Sequence, residues 1–464
     1  MNIPRVLIAG LRGGGGKTFV SLSLAAAWRE QGLRVAPFKK GPDYIDAAWL
    51  SAAAGRPCRN LDLFLMASDA AKRSFAATGV DSSAKGVALI EGNRGLFDGM
   101  NSLGTYSTAE LAKLLQTPVV LTVDCTKATR TVAALVLGCQ RLDPAVPIAG
   151  VILNKTGGPR HVSVLRKAVE ETCGLPVLGA VARLSEDLFP ERHLGLVPPV
   201  EHQGQGGSLG RAAEIAREYL DLGALRAVAD GAPPLELPGG ESIDQDGATQ
   251  PTVRIGILRD AAFQFYYPEN IEALAREGAE VIEISPLRDA NLPEVDGLYI
   301  GGGFPETMAP ELAENKPFIE SLRLAVENGL PVYAECGGAV YLGRELVVGD
   351  KQYRMVGALP ATFGFRSKPQ GHGYATLETI DENPFFEVGQ SLRGHEFHYT
   401  YMDPAQLEDV SFAFKVTRGH GFTGQRDGLC HRNVLASYTH VHALGTETWA
   451  PAVVRAALRF RQGK

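Results

Sequence analysis

The sequence predicts an α/β protein made of two doubly wound domains, each an open, mostly parallel sheet. Short β-branched runs alternate with helical patterns in the first half, the alternation decays after Pro198–Pro199, and it resumes at Val253. Strands separated by helices imply a parallel sheet covered on both faces. A chain of 464 residues, 45% of them hydrophobic, can build more than one core of this kind.

In chain order, the candidate strands of the first half are Val6–Ala9, Val35–Phe38, Val87–Glu91, Val119–Val123 and Ile148–Leu153. Between the first two, Thr18–Gln31 reads as a helix with Gly32 just past its end. The stretches His202–Gly207 and Gly239–Thr252 read as linker around a helix near Leu209–Leu222. From Val253 the order is VRIGIL, a helix near Asn270–Gly278, VIEI, DGLYIGGG, a further helix and LPVYAE. The tail from Tyr353 is richer in β-like and turn residues. The expected organisation is a first domain over 1–200, a linker over 201–252, a second domain over 253–448 and a C-terminal helix over 449–464.

Charge narrows the partners. With 46 basic against 52 acidic residues the formal net charge is −6. Such a chain has no global attraction for nucleic acid or anionic lipid, so neither is expected as a partner and an anionic ligand must meet a local basic site. No apolar stretch reaches the ~20 residues of a membrane span. The opening MNIPRVLIAGLRGG reads as a strand entering a glycine loop rather than a signal peptide. The six cysteines (58, 125, 139, 173, 336, 430) contain no C-x-x-C pair, which argues against a disulfide framework or a zinc site. A cytoplasmic protein is expected.

The first strand runs into Gly10-Leu11-Arg12-Gly13-Gly14-Gly15-Gly16-Lys17-Thr18 and then a helix. Glycines let successive N–H groups turn toward phosphate oxygens. The helix N-terminus adds its positive end, Lys17 a mobile charge, and Thr18 a hydroxyl suited to Mg²⁺. The loop is a variant, because the residue six before the lysine is Leu11. The bland alternative is a glycine turn joining strand to helix. ATP is the expected ligand of Gly13, Gly14, Gly15, Gly16, Lys17 and Thr18. Acidic partners for the metal should come from neighbouring strand ends, which in a parallel sheet open on one edge. Asp43 and Glu91 are the candidates there, and Lys39, Lys40 and Arg94 would draw carboxylates or phosphates. Asn154-Lys155, after the strand GVIL, is a candidate adenine contact. Any one of these residues taken alone can equally be an exposed loop charge.

In the second half, Leu330-Pro331-Val332-Tyr333-Ala334-Glu335-Cys336-Gly337-Gly338 reads as a buried strand, a cysteine and two glycines opening a helix. A nucleophile on that turn projects its sulfur, adjacent amides can stabilise an oxyanion, and the helix N-terminus favours a thiolate. Upstream, Gly301-Gly302-Gly303-Phe304-Pro305-Glu306 offers further amides and a substrate-holding carboxylate. The tail Ser437-Tyr438-Thr439-His440-Val441-His442 offers the base. A cysteine–histidine pair suits hydrolysis of a carboxamide; the bland alternative is a buried, inert cysteine.

Together these stretches resemble the cobyrinic acid a,c-diamide synthase family of cobalamin biosynthesis. The matching segments are GGGGKT, PFKKGPDYID, GRPCRNLDLFLM, ALIEGNRGLFDG, GVILNKTGGPRH, LYIGGGFPE, PVYAECGGAVYLG, RGHEFHYT and ASYTHVH, in order along nearly the whole chain. The resemblance implies a P-loop NTPase-like domain, similar to dethiobiotin synthetase, that binds ATP and Mg²⁺. It also implies a class I glutamine amidotransferase domain that hydrolyses L-glutamine. The first would activate a tetrapyrrole carboxylate as an acyl phosphate; ammonia from the second would displace the phosphate, at acetates a and c in turn. Carboxylates are poor electrophiles near pH 7, and ammonia in water is mostly ammonium, so activation and shielded delivery are both needed.

Carried over residue by residue, the resemblance makes Cys336 the glutaminase nucleophile and His440 the group that activates it. The position two residues beyond, where related enzymes often keep an acid, holds His442; an incomplete triad implies slow glutamine turnover or use of free ammonia. Tyr44, Asp46 and Asp98 match loops near the tetrapyrrole and metal, with Lys40 and Arg94 as carboxylate contacts. The segment Arg393–Tyr399 also matches, without an assigned chemistry. Related enzymes act on cobyrinate, on sirohydrochlorin or sirohaem, or on a nickel derivative, and the atypical loop keeps these alternatives open. Arg12 falls where septum-positioning and chromosome-partitioning ATPases carry a signature lysine. That admits a homodimer contact, and a nucleotide-switched regulatory ATPase as the alternative from another class.

Overall fold

The computed structural model describes residues 1–77, 85–184, 188–192, 195–202, 204–237, 239, 251–403 and 410–463. They form two compact units, Met1–Leu63 with Ala67–Ile243, and Phe64–Met66 with Asp244–Lys464.

In the first unit seven parallel strands are ordered β3-β2-β4-β1-β5-β6-β7. They are β1 (Arg5–Gly10), β2 (Arg34–Lys40), β3 (Arg59–Leu61), β4 (Gly86–Glu91), β5 (Val119–Asp124), β6 (Ile148–Thr156) and β7 (Val177–Ala182). β1 and β4 are buried at every position, as strands sandwiched between helices must be. Helix α1 (Lys17–Glu30) lays Val20, Leu22, Leu24 and Trp28 into this core, each fully buried apolar side chain stabilising it by ~1.5–3 kcal/mol. Helix α2 (Tyr44–Ala54) starts on an Asp43 cap and stops at Gly55, whose φ of 68° ends it in the left-handed region.

The interval 201–252 is more than a linker. Gln205–Tyr219 is helical and packs on α1, Leu222–Asp230 packs on β1, and Leu235 N donates to the Met1 carbonyl at 2.9 Å. The apolar positions Ala212, Ala213, Ile215 and Ala216 bury one face of the first of these helices. Most of the Gly239–Thr252 linker expectation, residues 240–250, lies outside the described residues.

The second unit is built on a ten-stranded sheet. Its parallel half runs Ala279–Ile284, Val253–Leu258, Gly297–Ile300, Val332–Glu335, Val434–Ser437. Its antiparallel half continues with Arg426–His431, Ser411–Arg418, Gly371–Thr379, Ser391–His398 and His440–Val441. Val434–Ser437 is fifth in this order and His440–Val441 last, yet two residues separate them along the chain. The antiparallel half must therefore curl back on the parallel half, and His440 returns beside the strand that carries Glu335. The terminal helix Trp449–Gly463 packs on Val253–Leu258 and Gly297–Ile300 through Trp449, Val453 and Ala457, as a layer of this unit. Among the described residues, no helix is long and apolar enough to cross a membrane.

Candidate active sites

The strands of the first unit are parallel, so the ends of β1, β2, β4, β5 and β6 open on one edge. Residues 11–16 link β1 to α1. Gly16 caps α1 with φ 91°, and a Cβ there would lie 2.0 Å from Asn154 Nδ2, so no other residue fits. Asn154 Nδ2 donates to Gly15 O at 3.1 Å while its Oδ1 accepts from Lys155 N at 2.9 Å. Both ends of the carboxamide have a backbone partner, which ties Asn154 to the phosphate loop. Lys155 Nζ lies 3.4 Å from Gly14 O and 3.1 Å from Asp124 Oδ2; Arg12, 72% exposed, reaches that same oxygen at 3.4 Å.

Behind the loop sits a buried charge cluster. Thr18 Oγ1 donates to Glu91 Oε1 at 2.6 Å; Lys39 Nζ lies 2.8 Å from the same oxygen and 2.5 Å from Asp46 Oδ2. Burial works against the Lys39 ammonium, but Asp46 and Glu91 more than offset it and keep it charged. Burial lifts the Glu91 carboxyl above its usual range, and burial with the Asp46 charge pushes Asp43 up to about 6. Asp43 Oδ1 meanwhile caps α2, accepting from Asp46 N at 2.8 Å. Glu91 Oε2 is buried without a hydrogen-bond partner. An orphaned carboxylate oxygen, a hydroxyl and under-compensated negative charge fit a Mg²⁺ ion, which takes few protein ligands and completes its shell with water and phosphate. Among the described residues no cluster of three or more His, Cys, Asp or Glu is arranged as a metal cage, which such a site does not require.

The expected exposed basic edge is smaller than the sequence suggests. β2 runs on to Lys40, so Lys39 and Lys40 are strand residues inside the sheet rather than loop charges. Lys40 is buried 3.7 Å from Asp62, and burial lowers its pKa. Arg94, at φ 49°, is exposed. Asp98 Oδ2 accepts from Gly95 N at 2.8 Å and closes that turn, while Tyr44 and Asp46 occupy the first turn of α2.

In the second unit, Cys336 follows the strand Val332–Glu335 with φ 48° and ψ −104° and opens the helix Gly337–Leu342. A non-glycine residue in this region costs on the order of 1–3 kcal/mol. Cys336 N donates to Ser437 O at 2.7 Å, extending the pairing of Glu335 with Ser437. The thiol is buried, and burial, then Glu306, pushes its pKa well up; the Gly337 amide works the other way but does not prevail. The resting group is therefore the thiol, against the thiolate expected from the helix N-terminus, and a base is needed to deprotonate it.

His440 is held by a network. Its Nδ1 lies 3.2 Å from Glu335 Oε2, which also accepts from Tyr299 OH at 3.1 Å, while Glu335 Oε1 accepts from Val441 N at 3.1 Å. Asn270 Nδ2 donates to Val441 O at 3.0 Å, and its Oδ1 accepts from Ala443 N at 2.7 Å. On the approach, the buried Asp427 carboxylate accepts from the Ser437 and Thr439 hydroxyls at 2.8 and 3.0 Å and from Tyr438 N at 3.1 Å. His395 stacks on His440 at 5.0 Å between ring centroids and is kept neutral by burial and by its histidine neighbours. Toward the glycine strand end, a Cβ on Gly302 would lie 2.6 Å from His440 Cε1 and 3.3 Å from Nε2. Tyr266 OH, accepting from Gly301 N at 2.9 Å, fixes that strand end. His442 Nδ1 accepts from Leu444 N at 3.2 Å and its Nε2 lies 3.7 Å from Glu269, so it faces away from this role. In the Arg393–Tyr399 segment, Glu396 clamps the turn at His420–Gly421 through their backbone amides.

Sequence reasoning missed Glu335, Tyr299 and Asn270. Glu335 was the one within reach, since it is an acid placed inside an apolar strand directly before the cysteine.

Two family models match the chain. Residues 6–196 match the CobQ/CobB/MinD/ParA nucleotide binding domain, and residues 254–448 match the CobB/CobQ-like glutamine amidotransferase domain. Among curated proteins, the cobyrinate a,c-diamide synthase of Magnetococcus marinus is 44% identical over 98% of this chain and 97% of its own. That of Archaeoglobus fulgidus is 38% identical over 99% and 98%, and that of Methanosarcina acetivorans 39% identical over 100% and 97%.

Proposed function

We propose, because this chain belongs to the cobyrinate a,c-diamide synthase family, that it amidates the a and c acetate side chains of a cobyrinate-type tetrapyrrole using ATP and glutamine. The observation that carries the reading is the presence, in one chain, of a phosphate loop backed by buried carboxylates, a cysteine elbow and a carboxylate-held imidazole.

In the first unit, the substrate carboxylate attacks the γ-phosphorus of ATP, the bond to the bridging oxygen breaks and ADP leaves, giving an acyl phosphate. Loop amides, the α1 N-terminus and Lys17 hold the phosphate charge, with Thr18 and Glu91, and Asp43 through water, as holders of Mg²⁺. Bound there, the ion neutralises phosphate charge. Arg94, Tyr44, Asp46 and Asp98 border this edge as substrate contacts. Ammonia then attacks the acyl carbon and phosphate departs.

In the second unit the Cys336 thiol gives its proton to His440 as the sulfur attacks the carboxamide carbon of glutamine. The oxyanion meets backbone amides of the elbow and the Gly301–Gly303 strand end. Ammonia leaves with the proton returned by the imidazolium, and water hydrolyses the thioester to glutamate.

The names of the relatives favour cobyrinate as substrate over sirohydrochlorin, sirohaem or a nickel derivative. Purified protein with ATP, Mg²⁺ and glutamine is to be offered each tetrapyrrole and read by mass spectrometry. The expected result is two successive losses of a single mass unit on cobyrinate, one per carboxylate converted to amide. If every tetrapyrrole stays unaltered with glutamine and with ammonium, the reading fails.

A further inference from the structure

We infer that Glu335, the residue immediately before the nucleophile, completes the glutaminase triad by orienting His440 from the nucleophile's own strand. This rests on the amidotransferase reading of the same site. A triad needs a carboxylate on the nitrogen of the imidazole that does not face the nucleophile, where it fixes the tautomer and steadies the imidazolium. Glu335 supplies such a carboxylate at Nδ1: it is fully buried, its Oε2 is 3.2 Å from His440 Nδ1, and Tyr299 OH and Val441 N each donate to it at 3.1 Å. With Nδ1–H given to Glu335, Nε2 is left as the proton acceptor, and it is this nitrogen that borders Gly302. The position two residues after the base holds His442, whose Nδ1 accepts from Leu444 N, so that position supplies no acid.

The topology supplies the reason. Glu335 pairs with Ser437 and Cys336 N continues the ladder to Ser437 O, while the curl of the sheet brings His440 back within reach of the same strand end. One strand end thus delivers both the nucleophile and the group that orients its base. Glu335 is a positioning residue, acting through His440.

The test is Glu335→Gln, assayed on the whole chain for glutamine hydrolysis, with kcat and KM separated, and for ammonium-supported amidation. The amide keeps the shape; with its oxygen in the Oε1 place it still accepts from Val441 N, while its NH₂ takes the Oε2 place beside Tyr299 OH and His440 Nδ1. It cannot steady an imidazolium, and its NH₂ favours the wrong tautomer. Glutaminase kcat should fall on the order of 10²–10⁴-fold with KM for glutamine little changed. Ammonium-supported amidation should stay within about threefold. Glu335→Asp, which keeps the charge, should recover part of the loss. Wild-type-like hydrolysis in Glu335→Gln, or equal loss with both nitrogen donors, overturns the inference alone. A wild-type protein inert toward glutamine overturns the amidotransferase reading and the inference with it.

Discussion

At Gly302 the spacing around the base leaves no room for a methyl group, since a Cβ would come 2.6 Å from His440 Cε1. Gly302→Ala must push the imidazole off Glu335 or the strand end off the imidazole. Glutamine-dependent amidation should fall about 100-fold or more while ammonium-dependent amidation persists, a split read by running both donors side by side. Cys336→Ala should split the donors more sharply, with glutamine-supported turnover abolished; equal loss with ammonium would remove the cysteine from its assigned role. Asn154 makes a different prediction. Its carboxamide bonds Gly15 O and Lys155 N, so Asn154→Ala should loosen the loop and weaken ATP and GTP to the same extent, by roughly tenfold for one lost buried hydrogen bond. A selective loss of ATP in a titration of the two nucleotides would return Asn154 to base recognition.

At the level of strands and helices, the junction of β2, α2 and β4 ties nucleotide binding to pH. Asp43, at about 6, takes up a proton just below neutrality, and any Mg²⁺ held there competes with that proton. The affinity for MgATP should therefore be level above pH 7 and drop up to tenfold per unit below about pH 6, measurable by calorimetry across that range. A flat profile down to pH 5 would remove Asp43 from the metal site. The same junction shows where sequence reading stops. The run Val35–Phe38 was legible as a strand from its apolar, β-branched character, yet the strand continues through Lys39 and Lys40 because Asp46, Glu91 and Asp62 are there to receive them. Partners supplied by other elements leave no mark on the local pattern. Arg59–Leu61 was too short to declare itself, and Val177–Ala182 carries glycine and alanine where a strand signal wants branching. The cysteine elbow was legible because glycine, cysteine and strand are contiguous. Glu335 stands out as an acid in an apolar strand, but its partner does not, because their contact depends on a sheet that closes across about 100 residues of chain, a register no spacing rule encodes.

For the whole molecule, the sequence conveyed two alternating α/β patterns and therefore two cores, and the structure adds that the intervening segment largely belongs to the first. The pairing of Met1 with Leu235 and the packing of Gln205–Tyr219 on α1 make residues 204–235 a layer of that unit. Disrupting it, for instance by Ile215→Asp in the buried face, should cost several kcal/mol, seen as a lower melting temperature and lost ATP binding. An unchanged melting temperature would make the segment a tether after all. In the proposed reaction the first unit makes a carboxyl group attackable and the second releases the nitrogen that attacks it. The most direct measurement follows nitrogen through both: cobyrinate, ATP, Mg²⁺ and glutamine labelled with ¹⁵N in its side-chain amide, read by mass spectrometry. The account predicts two labelled amides on the product, no label from glutamine in the Cys336→Ala variant, and amidation restored to that variant by ammonium. A product that takes no nitrogen from either donor, while ATP is still hydrolysed, would contradict it.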